Sequence, residues 1–392
     1  METSIFFEKI DTEKLGFAQN KEKIRLGDYI THLEPDEMEE KLRYADIALI
    51  GVNEDRPSTL NHGCSMAPDE IRKYFYSLYP VHKKLNIVDL GNIRQGEKIS
   101  DTYFALKSVV VELLKADVVP VVLGGSKDLT YPIYLAFESV GRVINLVSID
   151  PRIDNRISEA EEGDEQSYLS KIIMRKPNFL FNFTNIGYQS YFVDQDDVKL
   201  LNNLFFDTCR LGEIRSDLTE AEPMIRNADL LTFDISAVRQ SDAPANVKAS
   251  PNGFYGEEAC QLMRYTGLAE RLSCIGFFEM NPLYDRHGQT AQLIAQMIWY
   301  FLEGYSMRKN DYPAEGASSF VKYIVTMPGH ENDLVFFKSK VSDRWWMQLP
   351  VSKDKETSLS RHVMAPCSYK DYLQAGKYEI PDRWWKTYQK LM

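Results

Sequence analysis

The sequence predicts an α/β protein: a mostly parallel sheet with helices on both faces. Three observations carry this. From Asp46 onward, short β-branched runs alternate with helix-period segments, the signature of successive strand–helix–strand units. Several of those runs are continuously apolar, as strands buried on both faces are. The chain has 392 residues, 44% hydrophobic and 26% charged. That is enough for a full core and excludes disordered and collagen-like architectures.

Residues 1–45 are polar and charged, with an acidic cluster from Glu34 to Glu40. They are expected to form an N-terminal extension with short helices. The α/β domain is expected over residues 46–310. Its strands are expected at Ile47–Val52, Asn86–Leu90, Val118–Leu123, Val143–Ile149, Phe179–Ile186, Leu230–Ile235 and Cys274–Met280. Pro68 suits a first helical residue, Asp69 and Glu70 complete an acidic first turn, and Ile71, Phe75 and Leu78 share one face. Ser100 or Asp101 can cap a helix that buries Leu106, Val109, Val110 and Leu113. Asn155–Lys176 is a long acidic connection containing Glu159, Glu161, Glu162, Asp164 and Glu165. It reads either as a loop bordering a site or as a solvated surface loop. Thr290 to Leu302 places Leu293, Ile294, Met297, Ile298 and Phe301 at helical spacing, as core.

Residues 311–392 are expected as a C-terminal extension with two strand-like runs, Val321–Thr326 and Asp333–Phe337. A tetrapeptide occurs there twice, Asp343-Arg344-Trp345-Trp346 and Asp382-Arg383-Trp384-Trp385, holding four of the five tryptophans. Packing onto the main domain is the expected use; an aromatic anchor for a partner is the alternative.

Composition narrows the function. The formal net charge is −11, which argues against a nucleic-acid partner, since that needs a basic face. No apolar run reaches the ~20 residues of a membrane span. The acidic start, METSIFFEKIDTEKLGF, lacks the basic and apolar regions of a secretory signal. Five scattered cysteines (Cys64, Cys209, Cys260, Cys274, Cys367) without a C-x-x-C form neither a disulfide framework nor a zinc site. A reducing, cytoplasmic location is expected. The six histidines, His32, His62, His82, His287, His330 and His362, show no metal-ligand spacing and are expected as surface or satisfied structural residues.

Ligands of open α/β sheets bind beyond the carboxyl ends of the strands. The polar residues there are Gly124-Gly125-Ser126-Lys127-Asp128, Asp150-Pro151-Arg152-Ile153-Asp154, Asp234 with Ser236, and Glu279 with Asn281 and Asp285. Carboxylates on several neighbouring strands suggest a site, present or ancestral.

This order resembles the ureohydrolases: arginase, agmatinase and formimidoylglutamase. The resemblance covers about residues 46–308. Gly51-Val52-Asn53-Glu54-Asp55 is similar to that family's first strand end, and Ala67-Pro68-Asp69-Glu70-Ile71-Arg72 to its G-P-x-x-I-R helix start. Asn185-Ile186-Gly187-Tyr188-Gln189 is similar to I-G-x-R, with Gln189 in place of Arg. Pro251-Asn252-Gly253-Phe254 resembles P-G-G-L.

The resemblance implies a three-layer α/β/α sandwich. It also implies hydrolysis of a guanidino or formimino C–N bond by a hydroxide bridging two Mn²⁺. Carried over by position, Asp150, Asp154 and Asp234 are retained ligands. Lys127 and Arg152 stand where two histidines belong, and Ser236 where an Asp belongs. Glu279 matches the guanidinium-binding Glu.

Manganese needs carboxylate and imidazole donors, and a protonated Lys or an Arg offers no lone pair. The expectation is therefore a centre without metal, in which Lys127 and Arg152 act as counter-ions to the three aspartates. No cofactor is expected, with Mn as the alternative. The expected function is a non-catalytic binding or scaffold protein, with a protein partner, a second copy of itself or a small guanidino or formimino ligand. The alternative is an active formimidoylglutamase-like hydrolase with an altered metal centre.

Overall fold

A computed structural model describes residues 2–13, 15–17, 24–32, 38–83, 85–157, 164–313, 318–329, 332–350 and 359–392. Glu159, Glu161 and Glu162, His330 and part of the Glu34–Glu40 cluster lie outside these residues.

Among the described residues the main sheet has ten strands: β1 (Phe7–Glu8), β2 (Thr31–His32), β3 (Ile47–Val52), β4 (Ile87–Ile93), β5 (Val119–Leu123), β6 (Ile144–Ile149), β7 (Leu180–Tyr188), β8 (Asp207–Arg210), β9 (Leu230–Asp234) and β10 (Cys274–Phe278). The spatial order is β1-β4-β3-β5-β10-β9-β6-β7-β8, with β2 also paired to β4. All pairs are parallel except β1 with β4. The N-terminal segment thus contributes two short strands to the sheet edge. Strands β3, β4, β5, β6, β9 and β10 are buried along their whole length, which is why β3, β5 and β10 read as continuous apolar runs; β4, β6 and β9 carry buried polar residues among theirs, such as Asp89, Asn145 and Thr232.

The helices are α1 (Met38–Leu42), α2 (Ala67–Phe75), α3 (Ile99–Lys115), α4 (Thr130–Ser139), α5 (Tyr168–Met174), α6 (Gln195–Asn203), α7 (Leu211–Ser216), α8 (Ala221–Arg226), α9 (Gly256–Leu268) and α10 (Gln289–Ser306). Two apolar cores result. Ile71 and Phe75 of α2, Leu262 of α9 and Ile298 of α10 pack on one face of the sheet. Leu106 of α3, Ile133 of α4 and Leu169 of α5 pack on the other. This is a three-layer α/β/α sandwich.

The cap of α3 differs from expectation. Lys98 is the N-cap, and Asp101 accepts its backbone N–H at 2.9 Å. Asp101 therefore works from the third helical position, where a carboxylate also faces the positive end of the helix.

The C-terminal region forms a second, antiparallel sheet of β11 (Phe320–Val325), β12 (Leu334–Ser339), β13 (Trp345–Gln348) and β14 (Met364–Cys367). Helices α11 (Tyr369–Ala375) and α12 (Asp382–Leu391) cover it. The repeated tetrapeptide takes two conformations: Trp345 and Trp346 lie in β13, whereas Trp384 and Trp385 lie in α12. Asp343 turns the first copy into its strand with φ of 59°; Pro381 precedes the helix of the second. Trp345, Trp346 and Trp384 are buried, and Trp385 is exposed. Arg226 of α8 donates to Trp345 O at 2.7 Å, and Arg383 pairs with Glu220 at 2.8 Å. The aromatics chiefly bind this layer together and to the main domain.

Candidate functional site

The order of the strands creates the site. β5, β10, β9 and β6 are parallel neighbours, so their carboxyl ends open on one spot. β5 runs into Gly124 and Gly125, with φ of 77° and 78°. A Cβ at Gly125 would lie 2.6 Å from Glu54 O, so glycine is required at this turn. The turn delivers Lys127 into the interior, 1% exposed.

Lys127 Nζ lies 3.3 Å from Asp150 Oδ2, with side chains 1% and 2% exposed. The two attract as charges, but no hydrogen bond is aligned between them. Nζ and Oδ2 both remain without a hydrogen-bond partner among the described residues. Asp150 Oδ1 accepts from Arg152 N at 2.7 Å, and Asp234 Oδ1 from Ser236 N at 2.7 Å. Each aspartate thus holds the turn that follows its own strand. Ser236 Oγ is buried and unpartnered. Asp154 is buried beside Asp150, Lys127 and Asp234.

Arg152 follows the expectation only in part: its charge still lowers the Asp150 carboxyl, but it makes no direct ion pair among the described residues. Its guanidinium stacks over the Phe192 ring, 4.4 Å from the centroid, and forms no ion pair with a carboxylate within 4 Å among the described residues. The backbone explains this. Arg152 N is fixed on Asp150 Oδ1, and Arg152 O accepts from Asn185 Nδ2 at 2.9 Å. Its half-buried side chain keeps partial hydration on an aromatic face, avoiding the cost of full burial.

Sequence reasoning missed the second cation of the site, Lys248. It belongs to the loop after β9 and sits close enough to Glu279, Asp234 and Asp154 to act on their charge. Lys248 Nζ pairs with Glu165 at 2.9 Å, and Glu165 also accepts from Thr59 N and Oγ1 at 3.0 and 2.8 Å. Three loops are thereby tied together over the site. The one available signal was the position of Lys248 shortly before Pro251-Asn252-Gly253-Phe254. The acidic connection, read as either a bordering or a solvated loop, borders the site at Glu165.

Glu279 adopts φ of 69°, a left-handed conformation that costs a non-glycine residue of order 1–3 kcal/mol and needs outside support. The support is visible. Glu279 N donates to Gly125 O at 2.9 Å, and Glu279 O accepts from Asn61 and Asn246 side chains at 2.9 and 2.7 Å. Its carboxyl accepts from Lys127 N and Asn61 Nδ2, each at 2.9 Å.

Burial decides the protonation of this cluster. It pushes the Glu279 carboxyl up to about 8, and Asp234 adds to the push against Lys248. It pushes Asp150 up to about 6, with Lys127 opposing and Asp234 reinforcing. It pushes Asp154 far above its ordinary range, helped by Asp150. Gln189, in the place of the family's Arg, is buried and donates to Asn252 O at 3.2 Å. Of the histidines, His32 and His362 depart from expectation: both ring nitrogens of each are buried without a hydrogen-bond partner among the described residues.

Six donors would be needed for two manganese ions. The present set is three carboxylates, a hydroxyl, an ammonium and a guanidinium that points elsewhere. Among the described residues no three His, Cys, Asp or Glu side chains are grouped to hold a metal ion. This set does not fit a manganese pair.

Comparison with known proteins places the chain. The Arginase family model matches residues 45–303. A formimidoylglutamase of Staphylococcus aureus is 24% identical over 312 residues, covering 74% of this chain and 97% of the relative. The crystal structure of Trypanosoma cruzi formiminoglutamase with Mn²⁺ superposes with a TM-score of 0.62 at 18% identity, covering 77% of this chain and all of the other. The formimidoylglutamase of Bacillus subtilis gives 0.65 at 18% identity, covering 74% and 95%. With the match spanning most of the chain and the strand ends in the family's order, the chain belongs to the arginase family.

Proposed function

We propose that this protein is an arginase-family member without the dinuclear manganese centre, acting as a binding or scaffold protein rather than as an amidine hydrolase. The observation that carries this reading is the Lys127 ammonium, 3.3 Å from Asp150 and sealed from solvent. It sets a fixed positive charge among carboxylates that would otherwise face a metal. At an effective dielectric of 20, two like charges ~4 Å apart repel by about 4 kcal/mol, so a cation entering beside Lys127 meets repulsion as well as missing donors. Glu279 supports the same reading. Burial and Asp234 push its carboxyl up, and its two oxygens are already engaged by Lys127 N and Asn61 Nδ2.

Retention of Asp150, Asp154, Asp234 and Glu279 supports the second reading, a formimidoylglutamase-like C–N hydrolase with an altered centre. One experiment decides. The protein is incubated with Mn²⁺, dialysed, and assayed for bound metal and for urea, ammonia or formamide release from arginine, agmatine and formiminoglutamate. The expected result is no stoichiometric manganese and no release above the blank. Stoichiometric manganese with turnover overturns the proposal. The triple variant Lys127→His, Arg152→His, Ser236→Asp restores the missing donors and is expected to gain manganese.

The five described cysteines are unpaired, which suits a reducing cytoplasm, and no described helix is long and apolar enough to cross a membrane. In the scaffold reading the exposed Trp385 is the first residue to test for contact with a protein partner or a second copy.

A further inference from the structure

We propose that the open edge of β11 takes up an extended segment of a partner protein as a fifth strand, with an acidic residue set against Lys322. β11 belongs to the C-terminal layer, which lies beyond the residues 45–303 that match the Arginase family. What this edge binds therefore depends neither on the state of the manganese centre nor on the scaffold reading.

An open sheet ends in strands whose outer N–H and C=O groups face no neighbour, and proteins keep such edges short or blunted. Here β1 has two residues, β8 has four, and β14 has four including Pro366. β11 is different. It runs for six residues, Phe320-Val321-Lys322-Tyr323-Ile324-Val325, without proline, and pairs with β12 residue for residue without a bulge. It ends its sheet, and among the described residues nothing pairs with its other side.

The register fixes which groups are open. Lys340 N donates to Ser319 O at 2.8 Å. In an antiparallel pair such bonds recur at every second residue, so Val321, Tyr323 and Val325 point their backbone groups at β12. Phe320, Lys322 and Ile324 point theirs outward. The strand is also held in shape. Tyr323 packs against Trp345 and Tyr372, with ring centroids 5.1 and 5.4 Å apart, so the edge has little freedom left to lose when a partner binds.

The side chains define the strand that fits. Phe320, Lys322 and Ile324 share the face turned away from Tyr323. Ile324 is 58% exposed, and Phe320 leans on Trp346 with ring centroids 5.7 Å apart. Lys322 is exposed, faces the Phe337 ring at 5.9 Å and has no carboxylate within 4 Å among the described residues. Opposite charges directly across two strands stabilise the pair, and like charges destabilise it. Two copies of β11 paired about their centre would set Lys322 against Lys322. A partner segment with an acidic residue flanked, two positions away on each side, by apolar residues meets Phe320, Lys322 and Ile324 in turn. The lysine thus admits an acidic strand and turns away its own copy.

The test is fluorescence anisotropy of a labelled peptide, Thr-Val-Thr-Glu-Thr-Val-Thr, titrated with the full chain; its pattern reads the same in both directions. Saturable binding is expected, weakened about five-fold or more when Lys replaces the Glu. Lys322→Glu is expected to invert that preference. Ile324→Pro removes one outward N–H and spares the bonds to β12, and is expected to weaken binding about ten-fold. If Ile324→Pro does not fold, the exposed charge reversal at Lys322 decides alone. The proposal is overturned if neither peptide binds at millimolar concentration, if both bind alike, if Lys322→Glu leaves the preference unchanged, or if Ile324→Pro binds undiminished. It is equally overturned if sedimentation shows the chain dimerising and Ile324→Pro restores the monomer, because the edge then takes a second copy.

Discussion

Arg72 and Lys127 are both cations buried to within 1% of full enclosure, and their surroundings differ in kind. Arg72 grips Asp89 with two bonds, Nε to Oδ2 at 2.8 Å and Nη2 to Oδ1 at 2.9 Å. It also donates to Asn92 Oδ1 and Gly91 O, while Tyr76 donates to Asp89 at 2.8 Å. Nearly every donor and lone pair is used, which is how a buried ion pair recovers its desolvation cost. Among the described residues Lys127 has one unaligned contact at 3.3 Å and no hydrogen bond from its ammonium. A pocket shaped around its occupant satisfies that occupant's geometry. The pocket around Lys127 leaves its ammonium unsatisfied, and burial pushes the carboxyls of Asp150 and Asp154 up.

The comparison can be broken by mutation. Arg72→Met is expected to cost about 3–5 kcal/mol in denaturant titration, because Asp89 is left as an uncompensated buried charge. Lys127→Met should cost less, about 3 kcal/mol, and the loss should be larger at pH 8 than at pH 6. Asp150, already raised to about 6, rises further without Lys127 and takes a proton at the lower pH. Equal losses for the two variants, independent of pH, would erase the distinction drawn here.

His362 sharpens it, as a buried group whose ring nitrogens have no hydrogen-bond partner among the described residues. Its ring stacks on Phe181 at 3.6 Å and 16°. Burial and the nearby Arg361, Arg271 and Lys390 push it down to about 2. The folded state therefore binds fewer protons than the unfolded state between about 2 and 6.5, and stability falls as pH drops through that window. At pH 5 the loss is about 2 kcal/mol, read as a fall in melting temperature that His362→Phe should abolish. The smallest effect is expected for Arg152→Ala, at most about 1 kcal/mol from its stacking on Phe192.

These same residues show what a sequence can carry. The seven main strands were legible because burial on both faces leaves short runs dominated by apolar and β-branched residues between helix-period segments. β8 was not, because Asp207-Thr208-Cys209-Arg210 is a polar edge strand. β13 was hidden in a tetrapeptide whose second copy is helical, so local composition could not decide between the two. Lys127 could be placed by spacing because a rigid glycine turn carries it. Arg152 could be placed but not aimed, since its direction depends on Asn185 and Phe192 from another strand end. Lys248 was invisible because only the tertiary path of a loop brings it over the carboxylates.

The clamp on Glu279 has a practical consequence. Its backbone is held by Gly125, Asn61 and Asn246, and none of those contacts needs anything bound at the carboxylates. An engineer seeking to install new chemistry would find the framework for aiming a reactive group already rigid, and would need to exchange side chains without rebuilding a loop.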